Sequence, residues 1–127
     1  MKFEPDRPDA PSITAYGPGW LAVDGQRHER SMLIGSGGLL QPWDGATSFD
    51  ALSAALFEPL AARQPEVLLF GSGARLRFPP PAWLAALVAA RVGVETMDTA
   101  AACRTYNILS GEGRLVLAAL LIEAPPN

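Results

Sequence analysis

The residues of this chain best suited to chemistry fall in two short stretches. Asp98, Thr99, Arg104 and Asn107 lie close together in a segment with helical character. Arg104 and Asn107 are three apart and share one flank of a helix, with Asp98 at its start. A functional reading makes Arg104 a clamp for a carboxylate or phosphate, with Asn107 as a further donor. A structural reading has Asp98 or Thr99 capping the helix and Arg104 paired with a carboxylate such as Glu95 or Glu112. The second stretch is Gly71-Ser72-Gly73, which follows a compact apolar run. Ligands of open α/β sheets sit at the carboxyl ends of strands, and glycines there let backbone amides approach an anion. The triplet is neither a Walker loop nor a full dinucleotide fingerprint, and it also reads as a simple turn. Gly71, Ser72, Gly73, Asp98, Thr99, Arg104 and Asn107 are thus the candidate ligand-binding residues.

Other reactive side chains are poorly placed. Cys103 is the sole cysteine and His28 the sole histidine. A thiolate near a helix start and an arginine would be a stabilised nucleophile, but the helical phase puts Cys103 beside Ala102 and Tyr106, facing a core. Ser31 and Ser72 lack a nucleophile elbow. With no recognisable ligand set, no metal site is expected, nor is a cofactor, and no catalytic residue is assigned. Trp20, Trp43, Trp83 and Tyr106 read as core. Trp83, beside a proline-rich lead-in, has the alternative reading of an anchor for a protein partner.

Length and composition bound the remaining possibilities. The chain has 127 residues and a net charge of −3, with 49% hydrophobic and 18% charged residues. That suffices for one hydrophobic core and excludes intrinsic disorder. We expect a single domain over 1–127 with an ordered core of about 12–122. The mild acidity speaks against a nucleic-acid partner, which would call for a basic footprint. Charge is uneven: residues 1–62 hold four basic and eight acidic groups, and 63–114 hold six basic and four acidic. Any anion-seeking surface therefore belongs to the second half. The longest uncharged apolar stretch, Phe78–Ala90, is 13 residues long and too short to span a bilayer. The charged, proline-containing start does not read as a signal peptide. A cytoplasmic protein without membrane insertion is the expectation.

Local pattern supplies the scaffold that would carry these residues. Ser12–Tyr16 alternates like a strand, and Trp20–Val23 and Gln26–Arg30 flank Asp24-Gly25, a strong hairpin signal. Met32–Ile34 and Leu39–Trp43 read as further strands, so the first third predicts a β-meander. Leu52, Leu56 and Leu60 recur every four residues, while Pro59 splits that stretch into two short helical pieces. Val67–Phe70 predicts a strand buried on both faces. Pro80 and Pro81 open a helix over Ala82–Arg91, with Trp83, Leu84, Leu87 and Val88 on one face. Val92–Thr96 predicts a short strand, and a helix then runs to about Ser110, ended by Gly111 and Gly113. Leu115–Ile122 predicts a central strand. The ends, Met1–Pro11 and Ala124–Asn127, are expected to fray. Alternating strands and helices imply a partly parallel sheet. The fold class is three-layer α/β on a mixed central sheet, with an added N-terminal β-hairpin layer.

The block from Glu95 to Leu109, then Glu112-Gly113-Arg114 and Val116–Leu120, resembles a known family, as do Pro65–Gly73 and Pro42-Trp43. Over Ile13–Leu121 the chain is similar to bacterial members of the domain-of-unknown-function 498 family, of Mth-type (Xcc-like) fold. Its relatives include mitochondrial complex I assembly factor 3 and an adipogenesis-associated Mth-domain protein. The resemblance implies the same three-layer α/β fold. It brings no catalytic residues to carry over. It points towards a non-enzymatic interaction or assembly module, with a protein partner at the cytoplasmic side of a membrane respiratory or translocon complex. The alternative from the residues themselves is a binder of, or an enzyme for, a small anionic molecule.

Overall fold

The computed structural model describes residues 10–124. The termini expected to fray lie outside the described residues, apart from Ala10, Pro11 and Ala124. Pro11 itself is buried, and its carbonyl accepts the Tyr106 hydroxyl at 2.7 Å.

Strands β1 (Ile13–Gly17), β2 (Trp20–Val23) and β3 (Gln26–His28) form an antiparallel three-stranded sheet. The β2–β3 turn is the expected one: Asp24 and Gly25 both have positive φ, at 50° and 86°, as a type I′ turn needs. The expected meander ends there. Strands β4 (Met32–Gly35) and β5 (Leu40–Pro42) form a hairpin that joins a second sheet instead, with β4 antiparallel to the last strand. The reason is hydrophobicity. Every residue of β4 is buried, so the strand needs apolar cover on both faces, which only a central position supplies.

The second sheet runs β5-β4-β8-β6-β7, with β6 (Val67–Gly71), β7 (Gly93–Met97) and β8 (Val116–Leu120) parallel to one another. All residues of β6 and β8 are buried. Their alternation divides the core in two. Val67, Leu69, Val116, Ala118 and Leu120 face helix α3 (Thr99–Gly111) and the small sheet, meeting Ala102, Cys103, Tyr106, Ile13, Leu21 and Val23. Leu68, Phe70, Leu117 and Ala119 face a layer of short helices. These are α1 (Ala54–Phe57), which runs into a 3-10 stretch over Glu58–Arg63, and α2 (Ala85–Ala89). The molecule is therefore three layers deep around a mixed sheet.

An aromatic cluster fills the second core. Trp43 meets Phe57 and Phe70 edge-on at 5.5 and 6.2 Å, and Trp83 stacks on Phe57 at 6.0 Å. Such geometries add about 0.5–1.5 kcal/mol per pair beyond burial. Trp43 and Tyr106 are core, as expected, whereas Trp20 and Trp83 are half-buried. The helix expected over Ala82–Arg91 begins as a 3-10 turn, Pro81–Leu84, before α2. The tighter turn changes the phase: Leu87 is fully buried, while Val88, expected beside it, is 68% exposed.

Candidate functional site

Gly71-Ser72-Gly73 leaves the carboxyl end of β6 beside the start of α3, so Thr99 meets the glycine loop directly. The Gly73 amide donates to Thr99 Oγ1 at 2.8 Å, and the Thr99 amide donates to the Gly73 carbonyl at 2.9 Å. Thr99 Oγ1 in turn donates to the carbonyl of Leu121, just past β8, at 2.8 Å. The loop has to come this close. A Cβ on Gly71 would lie 3.0 Å from both Thr99 Cα and Thr99 Oγ1. Gly73, at φ +99°, takes a conformation that side chains other than glycine's rarely adopt.

Ser72 is fully buried. Its amide donates to the Met97 carbonyl at 2.8 Å, its hydroxyl donates to the Arg75 carbonyl at 2.8 Å, and that hydroxyl accepts the Arg77 amide at 2.9 Å. Two residues that local pattern does not mark complete the cluster. The Arg77 guanidinium donates to the Ser72 carbonyl at 2.8 Å and forms an ion pair with Glu123. It also lies 4.8 Å from the centre of the Phe49 ring, and Glu123 Oε2 accepts the Phe49 amide at 2.8 Å. The signal for this pair was a lone carboxylate directly after a nearly all-apolar strand. Such a group needs a cation nearby.

The other candidates sit further along α3 and serve different partners. Asp98 caps the helix, its Oδ1 accepting the Ala101 amide at 2.8 Å. Asn107 binds the backbone of β1 with both ends of its amide: Oδ1 accepts from Ile13 N at 2.9 Å and Nδ2 donates to Ile13 O at 2.7 Å. Arg104 is exposed and pairs with neither Glu95 nor Glu112. It donates to the Tyr16 hydroxyl at 2.8 Å, with its guanidinium 5.9 Å from the Tyr16 ring centre. That hydrogen bond holds the guanidinium still more firmly protonated. The structure therefore brings Gly71, Ser72, Gly73 and Thr99 together, and it leaves Asp98 at the helix start while Arg104 and Asn107 lie along the junction of α3 with the small sheet.

Beside this junction lies a cleft of about 510 Å³, between the β1–β2 turn, the start of α3 and the exit of β8. Tyr16, Trp20, Gly73, Thr99, Ala100 and Glu123 are among its lining residues. Its walls are mainly apolar, and the small side chains of Ala74 and Ala100 leave the space open.

Cys103 is fully buried, and burial raises its thiol to about 12, against a smaller opposing pull from Arg104. A thiol so placed stays protonated and is a poor nucleophile. No hydrogen bond joins it to His28, whose Nε2 is buried with no partner among the described residues. Among the described residues, no group of three or more His, Cys, Asp or Glu side chains is placed to hold a metal ion.

Two sheets, one of them mixed, sandwiched with helices and closed by a glycine loop against a helix start define an Mth938-like α/β protein. The chain belongs to the DUF498/DUF598 family of proteins of unknown function, whose model matches residues 13–121. It is 39% identical to an uncharacterized protein of Rhodobacter capsulatus, over 93% of this chain and 90% of that one. It is 32% identical to the NADH dehydrogenase [ubiquinone] 1 alpha subcomplex assembly factor 3 of Danio rerio, over 86% of this chain and 63% of that protein. The solution structure of an Mth938-like domain from Bordetella pertussis superposes with a TM-score of 0.80 at 33% identity, covering 96% of this chain and 92% of that one. No helix among the described residues is long and apolar enough to cross a membrane.

Proposed function

We propose that this protein is a non-enzymatic assembly module whose single domain engages a protein partner at the cytoplasmic side of a membrane complex, respiratory or translocon. The observation that carries this reading is the similarity to a relative named as an assembly factor. Site geometry supports it: Ser72, Thr99, Asp98 and Asn107 spend their hydrogen-bonding groups on holding the chain together. Affinity purification of the tagged protein from gently solubilised cells of its host, with mass spectrometry, tests it. Co-purification of subunits of one membrane complex, weakened by the surface variant Arg104→Ala, is the expected result. Enzyme-like turnover of a metabolite, abolished by Arg104→Ala in a folded protein, would overturn it. Trp83→Ala is a poorer probe of partner binding, because Trp83 is stacked in the aromatic cluster.

The cleft favours a second reading, in which a small molecule occupies it and packs against its mainly apolar walls beside Ala74 and Ala100. A thermal-shift panel of nucleotides, phosphates and carboxylates tests it. A ligand at about 100 times its dissociation constant adds roughly 2.7 kcal/mol of stability. The cleft-filling variant Ala100→Trp should remove that response.

A further inference from the structure

The segment after the glycine loop exposes large apolar side chains from a backbone that is held in place. Along Leu76-Arg77-Phe78 the side chains alternate exposed, half-buried, exposed, with Leu76 at 52% and Phe78 at 69% exposure. Arg77 is the inward anchor, bonded to the Ser72 carbonyl and to Glu123. The Ser72 hydroxyl clamps the same segment at the Arg75 carbonyl and the Arg77 amide, and prolines at 79, 80 and 81 come next. Leu76 and Phe78 therefore share the outer side of a strap whose conformation is already set, so burying them elsewhere costs little ordering entropy. Arg75, next to them, is exposed, and no carboxylate among the described residues forms an ion pair with it. Apolar tips beside an exposed guanidinium match a surface that is anionic outside and apolar beneath. Two neighbouring knobs enter a deformable layer without needing a preformed groove.

We propose that Arg75, Leu76 and Phe78 form a peripheral membrane contact, with Leu76 and Phe78 entering the headgroup–acyl boundary of an anionic bilayer and Arg75 meeting its phosphates. This surface is separate from the assembly reading, because protein-free vesicles contain no protein partner. The experiment is co-sedimentation of the full chain with phosphatidylcholine vesicles, with and without a fraction of phosphatidylglycerol. Binding should be stronger with phosphatidylglycerol and weaken as salt is raised. Phe78→Ser and Leu76→Ser should each lower partitioning about tenfold, the scale expected for losing most of one buried side chain's apolar contribution. Arg75→Glu should remove the preference for the anionic lipid. Ile108→Ser, on exposed α3 surface across the central sheet, should leave binding unchanged. All three strap positions are exposed, so circular dichroism should find the variants folded. A protein that stays in the supernatant with both vesicle types overturns the proposal. So does binding that Phe78→Ser leaves intact, or a concentration-dependent dimer abolished by Phe78→Ser without vesicle binding.

Discussion

Thr99 joins three chain segments through one hydroxyl and one amide, and that makes it the most consequential polar residue of the candidate site. Thr99→Val keeps the shape but leaves the buried Gly73 amide and Leu121 carbonyl without their partner. An unsatisfied buried group costs about 1–3 kcal/mol, so the urea midpoint should fall with an unchanged slope, while Thr99→Ser should recover most of the loss. Asn107→Ala deprives Ile13 of both bonds and should act in the same direction. Arg104→Ala, at an exposed position, should leave the midpoint where it is. Buried acids give the pH dependence. The Cys103 thiol ordinarily titrates near 9.0 and the Tyr106 phenol near 10.0, and burial raises each to about 12. Both groups are held protonated in the fold, so the unfolded chain releases these protons first. Their contribution to stability is complete below about pH 9 and lost as pH rises towards 12, which denaturation midpoints across that range would show. Cys103 should also resist iodoacetamide at neutral pH until the protein is unfolded in urea.

At the scale of elements, α2 shows how a short change of helix type redirects side chains. Pro81–Leu84 winds as a 3-10 turn, and its tighter winding, with fewer residues per turn, rotates the residues beyond it, so Leu87 points into the core and Val88 out of it. Leu87→Ala should cost about 2–5 kcal/mol, and Val88→Ala should stay within about 0.5 kcal/mol. Thermal or urea denaturation of the two variants separates this phase from that of a regular helix. The packing of α3 on β6 depends on Gly71. Gly71→Ala would put a methyl 3.0 Å from Thr99 Cα, which is backbone, and 3.1 Å from Leu120 Cδ2. The helix start would have to shift, at a cost of about 1–3 kcal/mol.

The molecule as a whole has two cores sharing one sheet. Because β6 and β8 feed alternate residues into both, neither core survives loss of the other. Unfolding should therefore be a single cooperative transition. Far-ultraviolet dichroism and tryptophan fluorescence should coincide in urea, although Trp43 and Trp83 report on one layer and Trp20 on the other. Separate transitions would mean that the small sheet and α3 unfold apart from the helical layer.

Features governed by neighbours within a few residues were legible in the chain alone. The Asp24-Gly25 turn, the Asp98 cap, the buried runs of β6 and β8 and the inward phase of Cys103 belong to this group, because periodicity, turn chemistry and capping are local. Other features needed the packed molecule. Whether the β4–β5 hairpin extends the first sheet or the second depends on which position lets the two core layers cover both of its faces, and β8, the strand that β4 pairs with there, lies far along the chain. Arg104 found the Tyr16 hydroxyl across 88 positions, and Arg77 found Glu123 across 46. No spacing rule reaches that far. These pairings exist because packing α3 on the small sheet and closing the strap over the exit of β8 bring those groups within hydrogen-bonding distance.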